Sequence, residues 1–386
     1  MRLKRVPTFA RSALAMTAAV GAQALTIATC QAPTLPEGNP ELVVVTGLVD
    51  GWTRVIDGGS FALLRSVGPE LSLPGYSALS ADSSLLLLSG ATEARDTFLV
   101  VALDTKTLDM VWRLPVSALE GPSGVRVNLP TVLALSPDQT RLYVWPADSA
   151  GIPGIAAVNV VTRAITRFRE LRVFATRIVV FRGHGALPEG TLAVTATRSP
   201  SAAAKPTGIF LLRQDLTVFD SIQVPTGGLG AYDAVLSPDE ATLNVLAPPY
   251  LTALDLATRS VMATTQSLAA SFLWPGVDGL IYEVDGGLLP DAPTSEFFIE
   301  HSTDLNTRRA LSLLQAGAGA SLPIARGVAV NRSGTTAYVL TGSLPIATAG
   351  QKAALVKYDL ISGSRLRTLP LGQYGTAFRV FILPRP

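Results

Sequence analysis

The sequence predicts an all-β fold made of seven copies of one four-stranded antiparallel unit, and three observations lead there. A short turn motif recurs between apolar strand-like runs. A second turn marker returns about every 50 residues, and the two chain ends carry complementary parts of one unit. Units of this size, repeated without helical period, mark the blades of a β-propeller. The expectation is a seven-bladed β-propeller in which the C-terminal strand completes blade one.

Bulk composition agrees with that class. The 386 residues are 48% hydrophobic and 16% charged, with 33 Gly and 27 Pro. A chain rich in Gly and Pro, poor in charge and full of short apolar runs reads as strands joined by tight turns. Disorder is excluded, because disordered chains are polar, highly charged and poor in branched apolar residues. A nucleic-acid partner is not expected either. Four of the 31 basic residues lie in the first eleven positions against 29 acidic ones in all, so no lasting basic face remains beyond them.

The first element is a leader at residues 1–29. Arg2, Lys4, Arg5 and Arg11 precede the apolar, small-residue run ALAMTAAVGAQALTIAT, the layout of a secretory signal. The run is too short and Ala-rich for a membrane span. The only cysteine, Cys30, stands where it ends, and LTIATC resembles a bacterial lipobox. Ile27 and Ala28 fit that pattern, while Thr29 stands where Gly, Ala or Ser is usual. Cleavage after Ala22-Gln23-Ala24 is the competing reading. On the lipobox reading Cys30 is lipidated, residues 30–40 form a Pro-rich tether, and the propeller occupies 41–386.

Within 41–386, Leu135-Ser136-Pro137-Asp138 and Leu236-Ser237-Pro238-Asp239 share a turn with Leu79-Ser80-Ala81-Asp82 and Asn331-Arg332-Ser333-Gly334. Pro fixes φ and Asp or Gly closes the turn, so each joins a first strand to a second. The second marker is D/N-x-x-S/T, beginning at Asp57, Asp104, Asn159, Asp255, Asp304 and Asp359, with spacings of 47, 55, 96, 49 and 55. The 96-residue gap holds two units, the hidden one being GIFLLRQDLTVFDSIQV with Arg213-Gln214-Asp215 at its turn. ELVVVTG at the start matches a second strand, and TAFRVFILP at the end matches a first strand. Pairing the two removes an exposed edge. No amphipathic run of ten residues separates the strands; the nearest, LNTRRALSLLQ, occupies a fourth-strand slot.

The S-P-D-x-x-x-L-Y-V core followed by a D-x-x-T hairpin resembles the YVTN-type propeller repeats, a superfamily shared with lactonase-like and quinoprotein amine-dehydrogenase-like propellers. The resemblance covers 41–386 and implies the fold. Its members include enzymes, surface-layer proteins and binding scaffolds, so it implies no single activity.

The repeated turns assign one face to scaffold, and their Asp residues are read as turn caps rather than metal ligands. On the other face the loops vary: 90–97, 146–154, 198–207, 284–296 and 341–352. Binding is expected there. First-strand entrances place Tyr76, Asn128, Arg177, Tyr232, Asp233, Arg326 and Tyr374 around a channel mouth. Two Arg among three Tyr suit a small anionic or sugar-like ligand, since guanidinium pairs with carboxylate or phosphate in a fork. The competing reading makes them rim residues in solvated or inter-blade contacts.

Enzymatic motifs are absent from the sequence: no G-x-S-x-G elbow, no P-loop, no dinucleotide fingerprint and no C-x-x-C. His184 and His301 have no partner at ligand spacing, so no catalytic residue, metal or cofactor is assigned. Arg163, Arg167, Arg169 and Arg172 alternate with apolar residues and read as a solvated sheet face. The four Trp read as core packing. The expectation is an exported, monomeric cell-envelope scaffold, non-catalytic, lipid-anchored and binding a small ligand or an envelope protein. The alternative is a lactonase-like hydrolase or a quinoprotein-like oxidoreductase at the channel mouth. An acid converging with an Arg there points to the enzyme, and a broad apolar patch points to a protein partner.

Overall fold

The computed structural model describes residues 41–384 apart from 49–51, 68–70, 72, 93–95, 150, 172, 198–207, 228–229, 268–269, 277–278, 286–295, 302, 313–323 and 343–351. The leader, the tether and Cys30 lie outside the described residues. The described residues fold almost wholly into strands.

The chain opens with β1 (Glu41–Leu48), β2 (Thr53–Asp57) and β3 (Leu63–Val67). The first complete sheet is β4 (Leu73–Leu79), β5 (Leu85–Ala91), β6 (Phe98–Asp104) and β7 (Met110–Pro115). The second holds β8 (Val125–Leu135), β9 (Arg141–Ser149), β10 (Ile152–Asn159) and β11 (Ala164–Glu170). The third, which contains the unit hidden in the long marker gap, is β12 (Phe174–Val180), β13 (Leu192–Thr197), β14 (Gly208–Leu212) and β15 (Val218–Gln223). Next come β16 (Asp233–Leu236), β17 (Thr242–Ala247), β18 (Tyr250–Asp255) and β19 (Ser260–Gln266), followed by β20 (Ala270–Pro275), β21 (Leu280–Asp285), β22 (Glu296–His301) and β23 (Thr307–Ser312). The chain ends with β24 (Ile324–Val330), β25 (Thr336–Gly342), β26 (Lys352–Asp359) and the 21-residue β27 (Ser364–Pro384).

The result is an all-β propeller of four-stranded meanders, but it has six hydrogen-bonded sheets rather than seven separate blades. The reason is β27. It pairs with β26 from Ser364 to Gln373, then runs on without a break and pairs with β1 from Tyr374 to Pro384. One strand thereby serves as the fourth strand of one meander and the first strand of the next, fusing them into a seven-stranded sheet. Pairing of the last strand with β1 occurs as the two ends of the sequence require. Strands β4, β8, β12, β16, β20, β24 and β27 contact one another in turn and close a ring around the axis.

Local chemistry explains each turn. Ser136 and Ser237 hydroxyls donate to Asp138 and Asp239 at 2.5 and 2.6 Å, and their oxygens accept the N–H of Arg141 and Thr242 at 2.9 Å. In the second marker, Thr107, Thr162 and Thr258 N–H groups donate to Asp104, Asn159 and Asp255 at 2.9, 2.7 and 2.9 Å. Asp304 differs, accepting from Asn306 N–H at 3.0 Å. Each such turn turns back through one residue of positive φ: Phe61, Leu108, Arg163, Leu216, Arg259, Leu305 and Gly363. A carboxylate also ties neighbouring sheets: buried Glu240 accepts the N–H of Arg182, Gly183 and His184 at 2.8, 3.0 and 3.1 Å.

Apolar side chains fill the space between sheets. Second strands such as β5, β9 and β17 are buried on both faces, while outer strands such as β11 are mostly exposed. Trp145 is 2% exposed in one cluster, and Trp274 packs against three clusters at once. Among the described residues no helix is long and apolar enough to cross a membrane.

Candidate functional site

Register, read from hydrogen bonds, defines the tier that lines the axis. The N–H of Ser80, Ser136, Phe181, Ser237, Gly276 and Asn331 closes the first turn of its meander onto Leu85, Arg141, Thr191, Thr242, Leu280 and Thr336. Four residues earlier on each inner strand stand Tyr76, Val132, Arg177, Asp233, Phe272 and Gly327. In the fused sheet Leu383 faces Leu42 as Ser80 faces Leu85, and four residues before it stands Arg379. The tier thus takes one residue from every inner strand.

Its polar members interlock. Arg177 Nη1 donates to the Tyr76 hydroxyl at 3.2 Å, and Arg177 Nε lies 3.7 Å from Asp233 Oδ1. Asp233 accepts the N–H of Ala234 on Oδ1 at 3.0 Å and the N–H of Leu273 on Oδ2 at 3.1 Å. The Arg379 guanidinium carbon sits 4.9 Å from the Tyr76 ring centroid and 5.5 Å from that of Phe272, within cation–π range. Side-chain exposure is 26% for Arg177 and 4% for Asp233. Burial works against the Arg177 charge, but Tyr76 and Asp233 more than offset it and hold the guanidinium above its ordinary pKa.

Two residues nearer the first turn, Trp274, Phe381, Val235 and Ala134 occupy the same inner strands and give the axis an apolar layer. A polar tier with an apolar layer beside it, near the face of the variable loops, can hold an anion by its guanidiniums and a ring or sugar face by Tyr76 and Phe272.

The structure brings together Tyr76, Arg177 and Asp233 of the residues expected at the mouth. Tyr232 is 43% exposed and precedes Asp233 at the rim. Asn128 is exposed and donates to Asp148 at 2.6 Å, away from the cluster. The side chains of Arg326 and Tyr374 fall outside the described residues, as do most of loops 198–207, 284–296 and 341–352. Arg379 and Phe272 escaped sequence reasoning. Inner strands bulge between Ala175 and Arg177, Ala270 and Phe272, and Ala325 and Gly327, so counting from strand entrances slips by a residue. Counting back from the turn finds Phe272. Arg379 has no such anchor, because β27 is followed by no first-to-second-strand turn. His184 is exposed, and only its backbone N–H is engaged, by Glu240. Among the described residues no cluster of His, Cys, Asp and Glu is placed to hold a metal ion.

No family model matches the sequence, and no curated protein matches it. Solved structures do share its fold. The Pseudomonas aeruginosa periplasmic gluconolactonase PpgL matches with a TM-score of 0.62 at 14% identity, over 90% of this chain and all (100%) of that one. A functionally unknown protein from Desulfotomaculum acetoxidans matches with a TM-score of 0.61 at 12% identity, over 89% and 99% of the two chains. The dihydro-heme d1 dehydrogenase NirN matches with a TM-score of 0.51 at 15% identity, over 88% of this chain and 74% of that one. At such identities the likeness is one of fold.

Proposed function

We propose that this chain is an exported, lipid-anchored propeller of the cell envelope that acts as a monomeric, non-catalytic scaffold and binds a small anionic or sugar-like ligand at the axial tier. The observation that carries the ligand class is charge: the described residues of the tier hold two guanidiniums, Arg177 beside Asp233 and Arg379 over Tyr76, and one carboxylate, Asp233. Asp233 accepts two backbone N–H groups besides its arginine, which favours a positioning role over proton transfer. Arg326, on the inner strand β24, is proposed to add to the same positive field, and Tyr232 and Tyr374 to the rim. A thermal-shift screen of carboxylates, phosphates and sugar acids tests the reading. Arg177→Ala and Arg379→Ala should each weaken the best ligand at least about tenfold, roughly 1.4 kcal/mol. Undiminished binding in both variants makes the tier purely structural.

A lactonase-like hydrolase is the second reading, and the convergence of Asp233 with Arg177 and Tyr76 favours it. The structural neighbour named as a gluconolactonase agrees with that choice. Lactone hydrolysis lost in Asp233→Asn with ligand binding kept supports it; absence of turnover across a lactone panel excludes it. Metal and quinone analysis of the purified protein separates both readings from a quinoprotein-like oxidoreductase.

Three finer points belong to the same proposal. The fused sheet counts as two repeats sharing β27, so seven repeats of the YVTN type surround the axis, in keeping with the ring of seven inner strands. Residues 1–29 act as the export signal, in keeping with the basic start and the apolar run that follows. Cys30 carries the lipid, and Cys30→Ser should release the protein from the membrane fraction and remove the lipid mass.

A further inference from the structure

We infer that three adjacent meanders present, at the rim of the face of repeated turns, an arc that docks on a phospholipid bilayer with anionic headgroups. This rests on the membrane anchoring proposed above and adds a surface to it. Exposed apolar side chains collect on that arc. Of the eleven large hydrophobic residues exposed among the described residues, six lie on a turn that opens an outer strand or within that strand's first three residues on these meanders. They are Leu63 and Leu64 of β3, Met110 and Val111 of β7, Leu366 of β27 and Ile361 of the turn before it, each 47–66% exposed. The three meanders are neighbours in the ring, and two arginines stitch their turns together. Arg65 donates to the Thr107 carbonyl, and Arg367 donates to the Ser60 carbonyl at 2.5 Å. Apolar residues scattered singly over a surface are ordinary, whereas a cluster rimmed by polar groups marks an interaction site.

Charge on the same arc is mostly positive. Arg65, Lys106, Arg113, Arg365 and Arg367 are exposed there, and Asp109 is the one exposed acid of segments 57–67, 104–115 and 359–373. The other acids of those segments serve their turns: Asp57, Asp104 and Asp359 accept the N–H of Ser60, Thr107 and Ile361 at 2.5, 2.9 and 2.8 Å. Four of the 31 basic residues lie in the leader, so the chain behind it holds 27 against 29 acids. The arc is thus cationic on a protein whose remainder is acidic. Apolar side chains flanked by Arg and Lys suit the surface of an anionic bilayer, where the first bury below the headgroups and the second pair with phosphate. A second copy of the chain suits it less, because a two-fold interface would set these cations against their own kind.

The chain enters the propeller at the middle of the arc. Glu41, the first residue of β1, belongs to the meander that ends in β3, and its carbonyl accepts the Gly58 N–H at 2.8 Å in the turn that leads to Leu63. Cys30 precedes Glu41 by eleven residues, which span at most about 40 Å when fully extended. An anchor at Cys30 therefore keeps the bilayer within reach of the face that carries Leu63, Leu64 and Arg65. The variable loops and the axial tier stand toward the other ends of the strands, so they face away from the membrane and stay open to ligand.

Vesicle sedimentation tests the inference on residues 30–386, the form left once the leader is removed, with Cys30→Ser so that no attached lipid contributes. Vesicles of phosphatidylcholine containing phosphatidylglycerol should bind it at least about tenfold more tightly than phosphatidylcholine alone, the difference shrinking as salt rises. Leu64→Asp with Val111→Asp should weaken the anionic binding at least about tenfold, with circular dichroism unchanged because both side chains are exposed. Val261→Asp with Met262→Asp makes the same change at exposed residues of β19, outside the arc, and should leave binding as it was. An environment-sensitive fluorophore on Leu64→Cys should shift to the blue on anionic vesicles, and one on Phe174→Cys, at the loop end of β12, should not. The inference is overturned by equal binding to both vesicle types, by equal loss in the two Asp pairs, or by a vesicle-independent dimer that Leu64→Asp with Val111→Asp dissolves. The anchor is judged separately, by the lipid mass on Cys30 of chain made with its leader in a bacterial host; its absence strikes the anchor and leaves the docking surface to the vesicle result.

Discussion

At the scale of single residues, Asp233 and the turn aspartates make different demands. Asp233 is 4% exposed and bonded to two strands besides Arg177, so Asp233→Ala leaves both the guanidinium and the Leu273 N–H short of an acceptor. A loss of about 2–4 kcal/mol is expected from urea unfolding, scaled to charged hydrogen bonds and to the partial exposure of Arg177. The turn carboxylates act on pH instead. Backbone N–H donation from Thr107, Thr217 and Thr258 is the largest cause holding Asp104, Asp215 and Asp255 below the ordinary carboxylate range. Their folded forms bind protons less readily than the unfolded chain does. Stability from them is therefore full above the ordinary carboxylate pKa, about pH 4, and declines as pH falls through and below it. Urea midpoints measured from pH 7 to pH 3 should drop only in the acid limb, and Asp→Asn at these turns should flatten that drop.

Turns and bulges, the next scale up, show how much could be read without coordinates. Pro-Asp and D-x-x-T turns were legible because short polar side chains at fixed offsets have one local use, which the Ser136–Asp138 and Thr107–Asp104 bonds display. The bulges beside Arg177 and Phe272 were not, because an extra residue in a strand leaves no mark in an alternating apolar pattern. Glu240 was equally hidden, since the three N–H groups it collects belong to a different sheet. Glu240→Ala should cost about 3 kcal/mol and free the 182–184 loop, seen as faster amide exchange at Arg182, Gly183 and His184. The positive-φ turn residues offer the opposite change. Arg163 is exposed at φ 53°, a conformation that costs an L-residue about 1–2 kcal/mol, so Arg163→Gly should raise the urea midpoint by a net gain near 0.5 kcal/mol.

For the molecule as a whole, closure was the most legible feature and the sheet count the least. ELVVVTG and TAFRVFILP announced each other as partners because one lacked a first strand and the other lacked a second. Nothing in the sequence said that the run from Ser364 to Pro384 would stay extended through Gly372 and Gly375 and weld two meanders together. Removing residues 374–386 should expose the edge of β1, delete Arg379, and yield oligomers on size exclusion with a broadened thermal transition. The same join sets a clock on biogenesis. The chain emerges β1 first, yet the partner of β1 is made last, so with synthesis at about 5–20 residues per second the opening strand waits on the order of tens of seconds for its mate. Throughout that interval Val43, Val44 and Val45, buried in the finished ring, border a ladder with one rail missing. A chaperone that covers strand-forming apolar segments would find its longest window at β1, a window that closes when the partner residues 374–384 are made.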